Sequence, residues 1–187
     1  MKSKFWKRLL IAFACLVVLG LAGLLAFFKL VQHRIASRLA PPVLKHEALT
    51  VPDLPYRTLD GALHRVSASK GRVVFLNLWG TWCVQCVAEM PTVQKLYDHY
   101  RNDSRVEFLI VSRLDSPWAV RSYASRNHLD LPFYVTRDDD VPGTMYLGQF
   151  PATFIYARDG SIAAQHAGAS DWSDKSVVNF IERLKAQ

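Results

Sequence analysis

The chain has 187 residues, half of them apolar and 12% aromatic, which is enough for one ordinary domain plus a short extra element and lies outside the disordered classes. Its formal charge of +7 is confined to residues 1–40, where Lys2, Lys4, Lys7, Arg8, Lys29, Arg34 and Arg38 meet no acid; residues 41–187 hold 16 basic and 16 acidic side chains. A nucleic-acid footprint would put the excess on the folded part, so no nucleic-acid partner is expected.

Leu9 to Phe28 is an uncharged run of twenty residues. As a helix it would span roughly 30 Å, the thickness of a bilayer's hydrocarbon core. A buried helix of a globular domain would carry a polar stripe, and this run has none. A cleaved signal peptide would have an apolar region of about 7–15 residues closed by small side chains. Here Ala12-Phe13-Ala14 lies inside the run. Cys15, in mid-span, behaves as a small apolar side chain. The reading is a cytoplasmic tail over residues 1–8, a transmembrane anchor over 9–30, a juxtamembrane stalk over 31–49 and a folded domain over 50–187, with the lipid bilayer as one partner. The more basic N-terminal flank favours an N-terminus-in orientation. Pro41-Pro42 stops any helical continuation.

Along the domain, Tyr56–Leu59 and Ala62–Val66 flank Asp60-Gly61, a tight-turn signal, and predict a hairpin. Val73–Leu78 is an apolar run of β-formers, as in a strand buried on both faces. A helical stretch to about Tyr100 follows, interrupted at Pro91. Val106–Ser112 is a second buried strand. Pro117–Asn127 predicts a helix with Trp118, Val120, Tyr123 and Ala124 on its inner face. Pro132–Thr136 predicts a short strand, and Ala152–Ala157 and Ser161–His166 a hairpin about Asp159-Gly160. A final helix starts near Ser173 with Val177, Phe180, Ile181 and Leu184 at helical spacing. Strand–helix–strand in the middle implies a parallel pair with a right-handed crossover, and the hairpins add antiparallel strands. The fold class is α/β, a mixed sheet flanked by helices.

Cys83 and Cys86 form one C-x-x-C where the buried strand has ended and a helix begins. Unpaired amides and the helix dipole favour a negative charge there, and the thiolate is the form that attacks disulfides. One turn apart, the two cysteines can close a small ring, with Cys83 as exposed nucleophile and Cys86 as the resolving thiol. Haem attachment would need His where Val87 stands. Structural zinc would need a second ligand pair, and none exists. Two alternatives stay open: Cu(I) held by the two thiols with a distant His, and a pair of inert buried cysteines. Trp82 reads as a partly exposed docking surface. Asp138-Asp139-Asp140 reads as an acidic loop.

The stretch Asn77-Leu78-Trp79-Gly80-Thr81-Trp82-Cys83, with Pro91 five residues after Cys86, resembles the active site of the thioredoxin superfamily. It is most similar to the membrane-tethered branch typified by cytochrome c maturation reductases of the TlpA, ResA and DsbE type. Pro52-Asp53-Leu54 and Leu59-Asp60-Gly61 resemble that branch's N-terminal hairpin. Gln149-Phe150-Pro151-Ala152-Thr153-Phe154 resembles its cis-proline loop. The resemblance implies a thioredoxin-like fold with an N-terminal hairpin extension. It implies a cis bond at Phe150-Pro151, where backbone could pair with an extended client, and a role for Glu89 in tuning or deprotonating the buried thiol. Pro91 would kink the active-site helix. Two departures matter. Asn77 stands where thioredoxin has a buried Asp, and Val84-Gln85 differs from the usual Gly-Pro or Pro-Pro.

The function expected is a thiol–disulfide oxidoreductase of the bacterial inner membrane with its domain in the periplasm. It would use no cofactor beyond a redox-active Cys83–Cys86 disulfide and no metal. Its partners would be protein disulfide or dithiol clients, apocytochrome c among them, and a membrane protein that supplies or accepts electrons. The same site run backwards gives an oxidase, and a Cu(I) metallochaperone or a redox-dead interaction domain are the other readings.

Overall fold

A computed structural model describes residues 2–45 and 53–187, and the chain divides into two units, residues 1–38 and 39–187. The first unit is one helix, α1 (Lys2–Ala36), with a mean hydropathy of 2.8 in its most apolar window. It extends beyond the expected anchor to Ala36, and its apolar side chains from Leu10 to Leu30 are exposed. Of the sequence readings, residues 46–49 of the stalk, the domain start at residue 50 and Pro52 lie outside the described residues.

The second unit is built on a seven-stranded sheet in the order β2-β1-β5-β4-β3-β6-β7. The strands are β1 (Pro55–Thr58), β2 (Leu63–Arg65), β3 (Val73–Trp79), β4 (Val106–Arg113), β5 (Phe133–Thr136), β6 (Ala152–Tyr156) and β7 (Ile162–Ala167). The helices are α2 (Val84–Tyr100), α3 (Pro117–Arg126) and α4 (Lys175–Lys185). β3, β4 and β5 run parallel; β6 joins β3 antiparallel, and each hairpin adds an edge. This is the expected mixed sheet.

All seven residues of β3 are buried, because the strand packs on both faces. Val73, Phe75 and Trp79 enter one core with Cys86, Met90, Val93, Trp172, Phe180 and Ile181. Val74, Leu76 and Leu78 enter a second with Leu54, Tyr56, Met145 and Phe154. Asn77 shares the face of Phe75 and Trp79, since side chains alternate along a strand; that alternation aims a polar group into the first core. Residues 39–45 lie on the domain: the Asp171 N–H donates to Ala40 O at 2.9 Å, and Leu44 packs on the first core.

Two expectations need correction. α2 is not interrupted at Pro91 but runs through it from Val84 to Tyr100. Proline's fixed φ suits a helix and costs it one hydrogen bond. Trp118 does not face inward; it is 74% exposed, while Val120 and Tyr123 are buried. Residues two apart on a helix point about 200° away from each other, so Trp118 and Val120 cannot share a face.

Candidate active site

Cys83 is the N-cap of α2. Its backbone is extended, its carbonyl accepts from Val87 N at 3.0 Å, and its sulfur accepts from the Cys86 N–H at 3.2 Å. The sulfur therefore lies against the unpaired amides of the first turn, where anionic character is favoured. Cys83 and Cys86 are joined in a disulfide with their Cα atoms 5.2 Å apart. Cys83 is more buried than the exposed nucleophile expected, keeping 8% of its surface exposed, because it closes onto the first core beside Cys86. Cys86 keeps none, so of the two residues Cys83 is the more open to an incoming group.

The loop from Gly80 to Cys83 is held by the end of β4. The Asp115 carboxylate accepts from Thr81 N at 2.8 Å, Thr81 Oγ1 at 2.7 Å and Ser112 Oγ at 2.5 Å. The Trp82 indole donates to Arg113 O at 3.3 Å. A Cβ at Gly80 would sit 2.6 Å from Trp82 Cε2, so only glycine lets the indole lie over that backbone. Trp82 itself is 52% exposed, beside the disulfide.

Phe150-Pro151 is a cis peptide bond. The register pairs Ala152 with Leu78, so Pro151 enters the sheet level with Trp79, at the strand end from which the cysteine loop leaves. Pro151 is buried and Phe150 half-buried, with its ring 5.9 Å from that of Trp82. The Arg113 guanidinium lies 4.7 Å from the Phe150 ring and 4.5 Å from that of Tyr146. Arg113 also donates to Tyr146 Oη at 2.9 Å and pairs with Asp138, the first residue of the acidic loop. Trp82, Phe150, Arg113 and Tyr146 thus form one continuous cluster, with the Trp82 and Phe150 rings tilted at 46° to each other.

Glu89 is fully buried on α2, three residues after Cys86 and so on the same helix face. Asn77 Nδ2 donates to Oε1 at 2.9 Å; Ser170 N and Trp172 Nε1 donate to Oε2 at 3.0 and 2.8 Å. Burial pushes its pKa up from 4.5 to about 7, against the pull of those three hydrogen bonds. Asn77 Nδ2 also donates to Thr153 Oγ1 at 2.9 Å, its register partner on β6. Ser170 Oγ contacts His166 Nε2 at 2.8 Å, and burial lowers the pKa of His166.

The expected site residues Cys83, Cys86, Trp82, Phe150 and Pro151 therefore gather at the C-terminal end of β3, with Glu89 behind them in the core. Ser170, Trp172, Thr153, Arg113 and Asp115 were not anticipated. Arg113 could have been noticed as a charge closing a buried strand; Ser170 and Trp172 carry no local signal. Among the described residues, no three His, Cys, Asp or Glu side chains gather as metal ligands would.

A disulfide capping a helix, at the same end of a mixed sheet as a cis-proline loop on the neighbouring strand, defines a thioredoxin-like thiol–disulfide oxidoreductase. Residues 46–181 match the Redoxin family, and the chain belongs to it, as a protein of the TlpA/ResA/DsbE type. It is 37% identical over 136 residues to the thiol-disulfide oxidoreductase ResA of Geobacillus kaustophilus, covering 73% of this chain and 76% of that one. It is 28% identical over 178 residues to ResA of Bacillus thuringiensis, covering 95% and 98%. In structure it is similar to a secreted thiol-disulfide isomerase from Corynebacterium glutamicum, with a TM-score of 0.63 at 21% identity over 78% of this chain and 92% of that one. StoA from Bacillus subtilis aligns with a TM-score of 0.54 at 21% identity over 75% and 98%.

Proposed function

We propose that this oxidoreductase works as a reductase of protein disulfides, held in a bacterial inner membrane by α1 with residues 1–8 in the cytoplasm, 9–30 in the bilayer and the domain in the periplasm. Two features support the anchor: the uncharged run Leu9–Phe28 and the exposure of its apolar side chains along α1. The basic N-terminal flank supports the orientation, and disulfide chemistry belongs to oxidising compartments. Apocytochrome c is a client of the right chemistry, a secreted polypeptide whose cysteines must be free.

The observation that carries the reading is the asymmetry of the sulfurs: Cys83 reachable at a helix N-terminus, Cys86 sealed one turn before a buried acid. In the reduced protein the Cys83 thiolate attacks a client disulfide, and one client sulfur leaves as thiolate. Glu89 takes the proton of Cys86. The Cys86 thiolate then attacks Cys83, the second client sulfur leaves, and the Cys83–Cys86 disulfide has passed two electrons to the client. A membrane dithiol protein returns them. Trp82, Phe150 and Pro151 hold the client chain beside the sulfurs.

Insulin-disulfide turnover with a chemical dithiol as donor tests the chemistry. Wild type should turn over, and Cys83→Ser and Cys86→Ser should not; equal turnover in all three rejects the site. The reduction potential of the pair tests the direction. A value well below about −200 mV is expected, while one near about −120 mV makes the protein an oxidase.

A further inference from the structure

Glu89 is enclosed by three donors, two of which cannot be reversed. The Ser170 amide and the Trp172 indole both donate to Oε2, and neither nitrogen can accept. A proton on Oε2 would point at two fixed N–H groups. A neutral Glu89 must therefore carry its proton on Oε1, and there it faces the Asn77 NH2 at 2.9 Å.

Asn77, unlike the other two, has an acceptor at the far end of the same group. Its Oδ1 is buried without a partner, while Nδ2 serves both Glu89 Oε1 and Thr153 Oγ1. Half a turn about the Cβ–Cγ bond exchanges the two ends. Oδ1 then accepts from the Glu89 Oε1–H and from the Thr153 hydroxyl, a group that both donates and accepts. One buried amide atom is left over in either orientation, so turning over creates no new unpaired atom.

We propose that the Asn77 amide is the reversible partner of Glu89, donating to the carboxylate and turning over to accept from the neutral acid, with the Thr153 hydroxyl reversing in step. Asn77 and Thr153 are then positioning residues that place the exchanged proton on Oε1. This deepens the reading of Glu89 as proton acceptor and rests on it. The ionisable groups around the cage are Cys83 and Cys86, beside and on α2, and His166 on β7, which reaches it through Ser170 and packs its ring 5.6 Å from that of Trp172. β3 and β6 contribute only the neutral Asn77 and Thr153.

Nuclear magnetic resonance of the oxidised full-length chain in detergent micelles tests the proposal without an activity readout. The Glu89 carboxyl carbon is followed from well below to well above pH 7, together with the NOEs from the Asn77 NH2 protons to Glu89 and to the Thr153 methyl. Those NOEs should be present above the Glu89 midpoint and lost below it. Glu89→Gln presents an N–H where the neutral acid presents its O–H, so in that variant the NOEs should be absent at every pH. A titrating Glu89 with unchanged NOEs, or NOEs retained in Glu89→Gln, overturns the proposal while leaving Glu89 as the base. A Glu89 carbon that does not titrate near neutrality overturns both.

Discussion

At the scale of single residues the site turns on a carboxyl that the fold makes expensive to ionise. Glu89 lies among Trp172, Asn77 and Ser170 with no exposed surface, and its three hydrogen bonds offset only part of the lost hydration. A pKa near 7 suits the proton exchange proposed for the group, since a general base works best with a pKa close to the working pH. The same rise fixes the sign of a stability effect. Below the unfolded value of 4.5 the acid is neutral in both states and its contribution is complete; as pH climbs toward about 7 the folded protein resists ionisation and stability falls. The rise corresponds to about 3 kcal/mol. Urea unfolding across this window should therefore show wild type losing stability relative to Glu89→Gln by roughly that amount; parallel curves would mean the carboxyl is hydrated. In the same variant, resolution of a mixed disulfide should slow about 100-fold, within the range general bases supply.

At the scale of elements, the cysteine loop is positioned by a neighbour rather than by itself. The segment closing β4 supplies Asp115 to the Thr81 amide and hydroxyl, and the Arg113 carbonyl to Trp82. Hydrogen bonds to a charged acceptor are worth about 1.5–3 kcal/mol each where burial leaves no replacement, less where water can enter. Asp115→Ala should thus cost about 2–3 kcal/mol in urea unfolding and lower turnover. Unchanged stability would show that the loop holds its shape alone. Much of this scale was legible in the sequence. The run Val73–Leu78 announced a strand buried on both faces, Asp60-Gly61 and Asp159-Gly160 announced hairpins, and the C-x-x-C marked the strand-to-helix junction, because each is a local signal. The cage around Glu89 was not legible. Ser170 and Trp172 meet Glu89 across 81 and 83 residues of chain, and only the folded sheet brings them there. Trp118 misled because an aromatic in a helix reads as core, whereas Val120 and Tyr123 define the inner face.

At the scale of the whole molecule, two units with opposite surfaces share one chain. α1 exposes apolar side chains along its length, and the domain keeps most of its apolar residues in two cores on either face of one sheet, with Trp82 and Trp118 among the exceptions. On the proposed anchoring, such a helix would concentrate the catalytic unit near membrane-borne electron donors, and a domain with balanced charge would leave recognition to the aromatic cluster beside the disulfide. All of this presumes that Cys83 is the sulfur clients meet first. Trapping in membranes that contain the full chain is the most direct test. With Cys86→Ser, client proteins should accumulate in mixed disulfides with Cys83, released by reductant and absent when Cys83 is also replaced. If the reciprocal Cys83→Ser variant traps the same clients as well or better, the inner sulfur is the nucleophile and the account of the site is wrong.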